Sequence, residues 1–411
     1  MNKQRPTHST LNTFPTRNGE LLIGDTPLTR LANRVGQTPF YAYDRQKITE
    51  RVKHLRKHLP EEIHLHYAIK ANPMPAVVQH LSTLVDGFDL ASGGEMQVAL
   101  DTPMPAGHIS FAGPGKSESE IRRAIATGVT LNLESETELD TAASQGEQLG
   151  IKPRVAVRVN PDFELKSSGM KMGGGPKPFG IDAEHVPAVL TRIGELGCDF
   201  QGFHIFSGSQ NLHPEAICEA QTKTFELAYR LAENAPSPVH KLNIGGGFGI
   251  PYFPGEQALD ITLIGGHLNE LLQKKSRQLP ESKVIVELGR YLVGEAGVYV
   301  CRIVDRKISR GQVYLVANGG LHQHLAASGN FGQVIRKNYP VLIGNKMDET
   351  EQETVSVVGP SCTPLDLMAD KMALAKAGIG DLVVVLQSGA YGLSASPSAF
   401  LSHPAAVEVL V

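Results

Sequence analysis

Between residues 64 and 287 the chain alternates short β-rich runs with longer segments whose apolar positions recur at helical spacing. The first four runs are His-Leu-His-Tyr-Ala-Ile ending at Ile69, Gly-Phe-Asp-Leu ending at Leu90, Ile-Ser-Phe-Ala ending at Ala112 and Thr-Leu-Asn-Leu ending at Leu133. Four more follow: Arg-Val-Ala-Val-Arg-Val ending at Val159, Gln-Gly-Phe-His-Ile-Phe ending at Phe206, Lys-Leu-Asn-Ile ending at Ile244 and Val-Ile-Val-Glu ending at Glu287. Amphipathic stretches such as SESEIRRAIATG separate them. Eight β/α units over about 225 residues predict an α/β fold of the TIM (β/α)8 barrel type. A doubly wound parallel sheet has the same local pattern and is the alternative.

After Arg290 the period changes. VYVCRIV, QVYLVAN, TVSVVG and DLVVVLQ read as strands separated by Gly, Pro and Asn turns without regular helices between them, which predicts a second, mostly β domain. LLIGDTPL and TPFYAYD, before the first barrel run, also read as strands. The expected division is a segment 1–40 pairing with the C-terminal domain, a barrel 41–290 and a β domain 291–411.

Composition narrows the function classes. The 411 residues suit one large domain plus a smaller one. Lys and Arg total 39 against 42 Asp and Glu, a formal charge of -3 with no strongly basic or acidic block, which argues against nucleic acid or a membrane as obligatory partner. Cys198, Cys218, Cys301 and Cys362 form no C-x-x-C pair, so neither a disulfide scaffold nor a zinc site is expected. The polar N-terminus and the lack of a long apolar run predict a soluble protein in the reducing cytoplasm.

The candidate chemistry sits at strand ends. Lys70, Asp89, Arg158, His204, the Gly245-Gly246-Gly247 loop and Glu287 each fall at or just beyond the C-terminal end of a different run, and in a barrel those ends converge on one mouth. An amine at Lys70 could be made nucleophilic by desolvation, or could simply cap its strand in solvent. Three consecutive glycines allow backbone amides close to a phosphate, or make a tight turn. Ile250 breaks the dinucleotide fingerprint, and Ser110, five residues before Gly115, breaks the P-loop that Gly115-Lys116-Ser117 suggests. Ser117 more simply caps a helix. Glu287 and Arg290 could serve a cofactor or form an ion pair; His204 could stack on a flat ring, with Ser207 near phosphate, or be packed in the core. Cys362 and Tyr391 lie in turn-rich segments of the β domain, where either could be packing alone.

Taken in order, these segments resemble the fold-type III pyridoxal-phosphate decarboxylases, the family of diaminopimelate, ornithine and biosynthetic arginine decarboxylases, from about Pro39 to His403. The resemblance implies an alanine racemase-like fold, pyridoxal 5'-phosphate as cofactor and Lys70 carrying it as a Schiff base. Asp89 and Glu95 match the acidic positions of the family's F-D-x-A-S-x-x-E segment, and Arg158 a barrel arginine near the cofactor. His204 resembles the ring-stacking histidine. Ser207, Gly245, Gly246, Gly247, Arg290 and Tyr391 fall on phosphate-binding positions, and Gly289 is a further cofactor-binding position. Glu287 matches the carboxylate facing the pyridine nitrogen and Cys362 the thiol implicated in protonation after decarboxylation. In the family Cys362 and Asp366 come from the neighbouring subunit, which implies a homodimer with shared active sites.

Departures bear on the substrate. Thr363 stands where members that grip a distal amine carry an acid, which disfavours free diamine-like substrates and diaminopimelate. Leu288 replaces a frequent proline and Pro178 a frequent lysine. The Cys-Thr-Pro-Leu-Asp segment and the Gly-Met-Lys-Met-Gly-Gly-Gly-Pro run resemble the subgroup associated with exosortase and exopolysaccharide systems. A modified or carrier-linked amino acid is therefore an expected substrate. The rivals are an amino-acid racemase on the same fold, which holds the ring nitrogen with arginine, and a non-catalytic regulatory homologue.

Overall fold

A computed structural model describes residues 7–163, 170–171 and 173–411, for 170–171 the backbone only. The Gly-Met-Lys-Met part of the glycine-rich run thus falls largely outside what is described. The chain divides into two units: one spans Glu50–Gly249 and Leu259–Gly289, the other the chain up to Thr49, Ile250–Ala258 and Arg290–Val411.

In the first unit the eight expected runs are eight strands: β1 (Ile63–Ala68), β2 (Gly87–Leu90), β3 (Ile109–Phe111), β4 (Thr130–Leu133), β5 (Arg154–Asn160), β6 (Asp199–Ile205), β7 (Lys241–Gly246) and β8 (Lys283–Leu288). All pair in parallel, each with its neighbour in sequence, and β8 returns to β1 through Val284 opposite Ile63, so the sheet closes. Closure excludes the doubly wound alternative. The short strand Ile181–Asp182 adds to β5.

Helices return the chain between strands, and side chains fix several of their starts. Ser117 forms a capping box with Glu120 at Glu118–Thr127, and Ser135 accepts from the Glu138 amide at Glu136–Leu149. Ser92 accepts from the Glu95 amide while the Glu95 carboxylate accepts from the Ala91 amide at 2.7 Å, so both polar positions of that segment cap the helix Gly93–Leu100.

The second unit is built on Gly297–Ser309, which pairs antiparallel with Phe40–Tyr43, Gln312–Ala317 and Leu382–Val385. Its core joins Leu21, Ile23, Leu28 and Phe40 to Val298, Val300 and Val384. The run LLIGDTPL is a hairpin, Glu20–Ile23 against Thr26–Pro27, and Leu28 already begins the helix Leu28–Val35. The strands Val341–Ile343, Leu367–Ala375 and Val407–Leu410 complete this unit without having stood out in the sequence. Among the described residues no helix is long and apolar enough to cross a membrane.

Candidate active site

At the C-terminal end of the barrel, β1 runs straight into a 3-10 turn, Ile69–Ala71, that presents Lys70. The buried Tyr67 hydroxyl donates to the Asn72 carbonyl at 2.9 Å, and the Asn72 side chain accepts from the Met74 amide at 3.1 Å, fixing the turn. Gly289 lets the end of β8 approach it, since a Cβ there would lie 2.8 Å from that of Ala71.

The Lys70 side chain is 42% exposed, whereas Glu287, 3.8 Å from the amine through Oε1, is 5% exposed. A reachable amine thus stands over a buried carboxylate. The other oxygen, Oε2, lies 3.0 Å from His204 Nε2 and accepts from Asn243 Nδ2 at 3.1 Å. Burial pushes the Glu287 carboxyl up, but the charges of His204, Lys70 and Arg158 outweigh it and hold the group below the ordinary carboxylate range. The Phe206 ring lies 5.6 Å from the Lys70 nitrogen.

The glycine loop ends β7. Gly245 and Gly247 have φ of +68° and +70°, which side chains with a Cβ rarely adopt. A Cβ at Gly247 would fall 2.2 Å from the Gly208 carbonyl, so the loop lies tightly against the segment after β6 that carries Ser207. The Asn243 side chain accepts from the Gly245 amide at 2.8 Å, coupling this loop to Glu287.

Arg158 is buried in β5 and donates to Glu134 Oε1 at 2.7 Å. Glu134 also accepts from the amides of Gly113 at 2.5 Å and Gly180 at 3.0 Å. Burial raises the Glu134 pKa, but Arg158, Lys116 and the Gly113 amide prevail and hold it down. Pro178 precedes Phe179, whose ring lies 5.2 Å from the Arg158 guanidinium. Asp89 sits deeper, accepting from the Ser110 hydroxyl and lying 3.2 Å from His66 Nδ1. Lys116 is buried, donating to Gly113, Asn132 and Glu138, which gives it a structural role.

The remaining candidates belong to the second unit. Arg290 Nη1 donates to the Tyr252 hydroxyl at 2.8 Å, and its guanidinium lies 4.6 Å from the Tyr391 ring. Asp366 is buried and accepts from the amides of Leu321 at 2.7 Å and Ser361 at 2.9 Å, which organises the turn bearing Cys362 and Thr363. Cys362 itself is exposed, unlike the buried Cys218 and Cys301.

Sequence reasoning missed Glu134, Asn243 and Phe206. Glu134 immediately follows the run ending at Leu133, and Asn243 is the one polar residue inside Leu-Asn-Ile, so position and polarity were available signals.

Two requirements of an aldehyde cofactor with a basic ring nitrogen are met in the barrel: an accessible amine, and a buried carboxylate kept ionised. An unsatisfied polar atom in the barrel points the same way, because His204 Nδ1 is buried without a hydrogen-bond partner among the described residues. The residues present therefore fit pyridoxal phosphate. Residues 45–294 match the family profile of pyridoxal-dependent decarboxylases, pyridoxal-binding domain. The chain belongs to this family. An L-glutamyl-(BtrI acyl-carrier protein) decarboxylase of Niallia circulans is 37% identical over 94% of the chain and 92% of the relative. The 2-[(L-alanin-3-ylcarbamoyl)methyl]-2-hydroxybutanedioate decarboxylase of Staphylococcus aureus is 30% identical over 89% and 92%. Among solved structures, diaminopimelate decarboxylase from Helicobacter pylori complexed with L-lysine has a TM-score of 0.82 and 26% identity, covering 93% of this chain and 94% of its own. The enzyme is accordingly a pyridoxal-phosphate-dependent carboxy-lyase with an alanine racemase-like barrel.

Proposed function

We propose that this decarboxylase removes the α-carboxylate of a derivatised amino acid whose side chain is extended by an acyl or carrier-protein linkage, in exopolysaccharide-related metabolism. One observation carries the choice of decarboxylation over racemisation: the ring-nitrogen position of the family is filled by Glu287, a buried carboxylate held ionised, where a racemase has arginine. For the substrate, Thr363 supplies no charge to hold a free distal amine, and the 37% identical relative is named for a carrier-linked glutamyl substrate.

In this reading Lys70 holds the cofactor and Glu287 keeps its ring nitrogen protonated. His204 covers the ring. Ser207, the Gly245-Gly246-Gly247 loop, Arg290 and Tyr391 hold the phosphate, and Asp89, Arg158 and Gly289 are further cofactor-binding residues. Bound there, pyridoxal phosphate supplies a conjugated sink for the electron pair released with carbon dioxide. The Lys70 amine and the Cys362 thiol are the groups that return a proton to carbon, and Thr363 and Asp366 border the substrate. Cys362, Thr363 and Asp366 come from a second subunit of a homodimer. The division into segment 1–40, barrel 41–290 and β domain 291–411 belongs to the same proposal, as does a cytoplasmic location, for which four free cysteines speak.

Incubating the holoenzyme with free and carrier-linked amino acids, and measuring carbon dioxide and amine, tests the substrate. Turnover of the linked substrates above free diaminopimelate and ornithine is expected. Preferred turnover of either free diamino acid overturns the substrate reading.

A further inference from the structure

The barrel has a second concave surface at the end remote from Lys70. Because all eight strands run parallel, residues that begin strands gather there: Arg154 begins β5, Lys241 begins β7 and Lys283 begins β8. With His64 and His108 beside them they line a cavity of about 590 Å3. That is the size of a small-molecule site, at an end where a barrel floor is otherwise closed by packed side chains.

Three carboxylates, Asp86, Asp199 and Glu281, also line this cavity, and each stands beside a base. Asp86 accepts from Arg56 at 2.6 Å and from the Leu65 amide at 2.7 Å. Asp199 lies 3.7 Å from Arg154 Nε, and Glu281 3.7 Å from His240 Nδ1. Lys241 donates to the Gly107 carbonyl at 2.7 Å and to Thr130 Oγ1 at 3.2 Å, while an ammonium has three donors. The Arg154 guanidinium is braced by Gln201 at 2.9 Å, which fixes its charge at the rim.

The bases also crowd one another. Burial, and then the charges of Arg154 and Lys283, bring Lys241 down to about 8 despite Asp89 and Asp199. Burial lowers His64, with Lys283, His66 and His108 lowering it further against Asp86; burial, Lys241, Lys283 and His66 lower His108. Arg154, Lys241 and Lys283 face this cavity together, and a multivalent anion among them would relieve their mutual repulsion.

The geometry points to a second binding site at the N-terminal end of the barrel, for a small phosphate-bearing metabolite whose dianion is held among Arg154, Lys241 and Lys283. None of these residues belongs to the set that holds the cofactor, so the site is testable on the loaded enzyme.

Titration calorimetry of holoenzyme with inorganic phosphate, at ionic strength fixed with potassium chloride, reads it directly. Saturable binding is expected, with proton uptake seen as a dependence of the heat on the buffer's ionisation enthalpy, because a bound dianion raises the pKa of neighbouring bases. Lys241→Met and Lys283→Met are each expected to weaken binding about tenfold or more while leaving decarboxylation unchanged. Should Lys241→Met fail to fold, the exposed Lys283 decides alone. Absence of saturable binding in the wild type, or equal affinity in a folded Lys283→Met variant, overturns the proposal.

Discussion

An amine serves as an attachment point only if it can be reached, while a carboxylate governs a ring nitrogen only if water does not screen it. Lys70 and Glu287 divide these demands within 3.8 Å of each other. Lys70→Ala is therefore expected to leave the fold intact by circular dichroism but to remove the covalent pyridoxyl group that borohydride otherwise fixes to the chain; mass spectrometry finding that adduct undiminished would refute the assignment. For Glu287 the sign of the pH effect follows from its depressed pKa. The group stays ionised as pH falls from 7 to 5, and protonates only below the ordinary carboxylate value of about 4.3. Its contribution to stability is likewise present above that value and is lost as pH falls through its lower, folded-state value. Glu287→Gln should thus lower kcat about a hundredfold or more at every pH between 5 and 8, altering the height of the rate profile and not its shape. A variant whose profile gains or loses a limb in that interval contradicts this.

At the scale of elements, Glu134 is a knot: one carboxylate joins the end of β4 to Arg158 in β5, to the loop after β3 and to Gly180. Glu134→Ala leaves the Arg158 guanidinium buried without its acceptor, at an expected cost of about 3 kcal/mol, read as a lower urea midpoint; Glu134→Gln, which keeps an acceptor, should recover much of it. Equal midpoints for wild type and Glu134→Ala would show that the pair is not coupled to folding. The knot was illegible in the sequence because its partners lie 24 and 46 residues away, one on the next strand and one on a later loop. The barrel strands were legible because each is a short apolar run, and six of them have a chemically distinctive residue or loop at or just beyond the C-terminal end, such as Lys70 or Glu287. Leu367–Ala375 was not, since Leu-Met-Ala-Asp-Lys-Met-Ala-Leu-Ala favours a helix by composition, and antiparallel pairing with Gln352–Val358 makes it a strand. For Cys362 the sequence left both packing and a reactive thiol open, and the side chain is exposed.

At the scale of the whole molecule, the proposed mechanism divides one active site between two copies of the chain: Lys70 comes from one barrel and Cys362 from the other subunit. That division has a consequence that a site within one chain lacks. Lys70→Ala and Cys362→Ala homodimers should each be impaired in amine formation, the first at cofactor attachment and the second at protonation, with cofactor retained. When the two are mixed and allowed to exchange subunits, half of the dimers are hybrids. If the site is shared, each hybrid carries one site with both defects and one with neither, so activity should recover to about a quarter of wild type. If each chain completes its own site, every site in the mixture retains one defect and nothing is regained. Activity that rises with exchange time toward that fraction, followed beside the hybrid fraction by native mass spectrometry, supports the shared site; hybrids that form without any gain in turnover eliminate it and return Cys362 to its own chain.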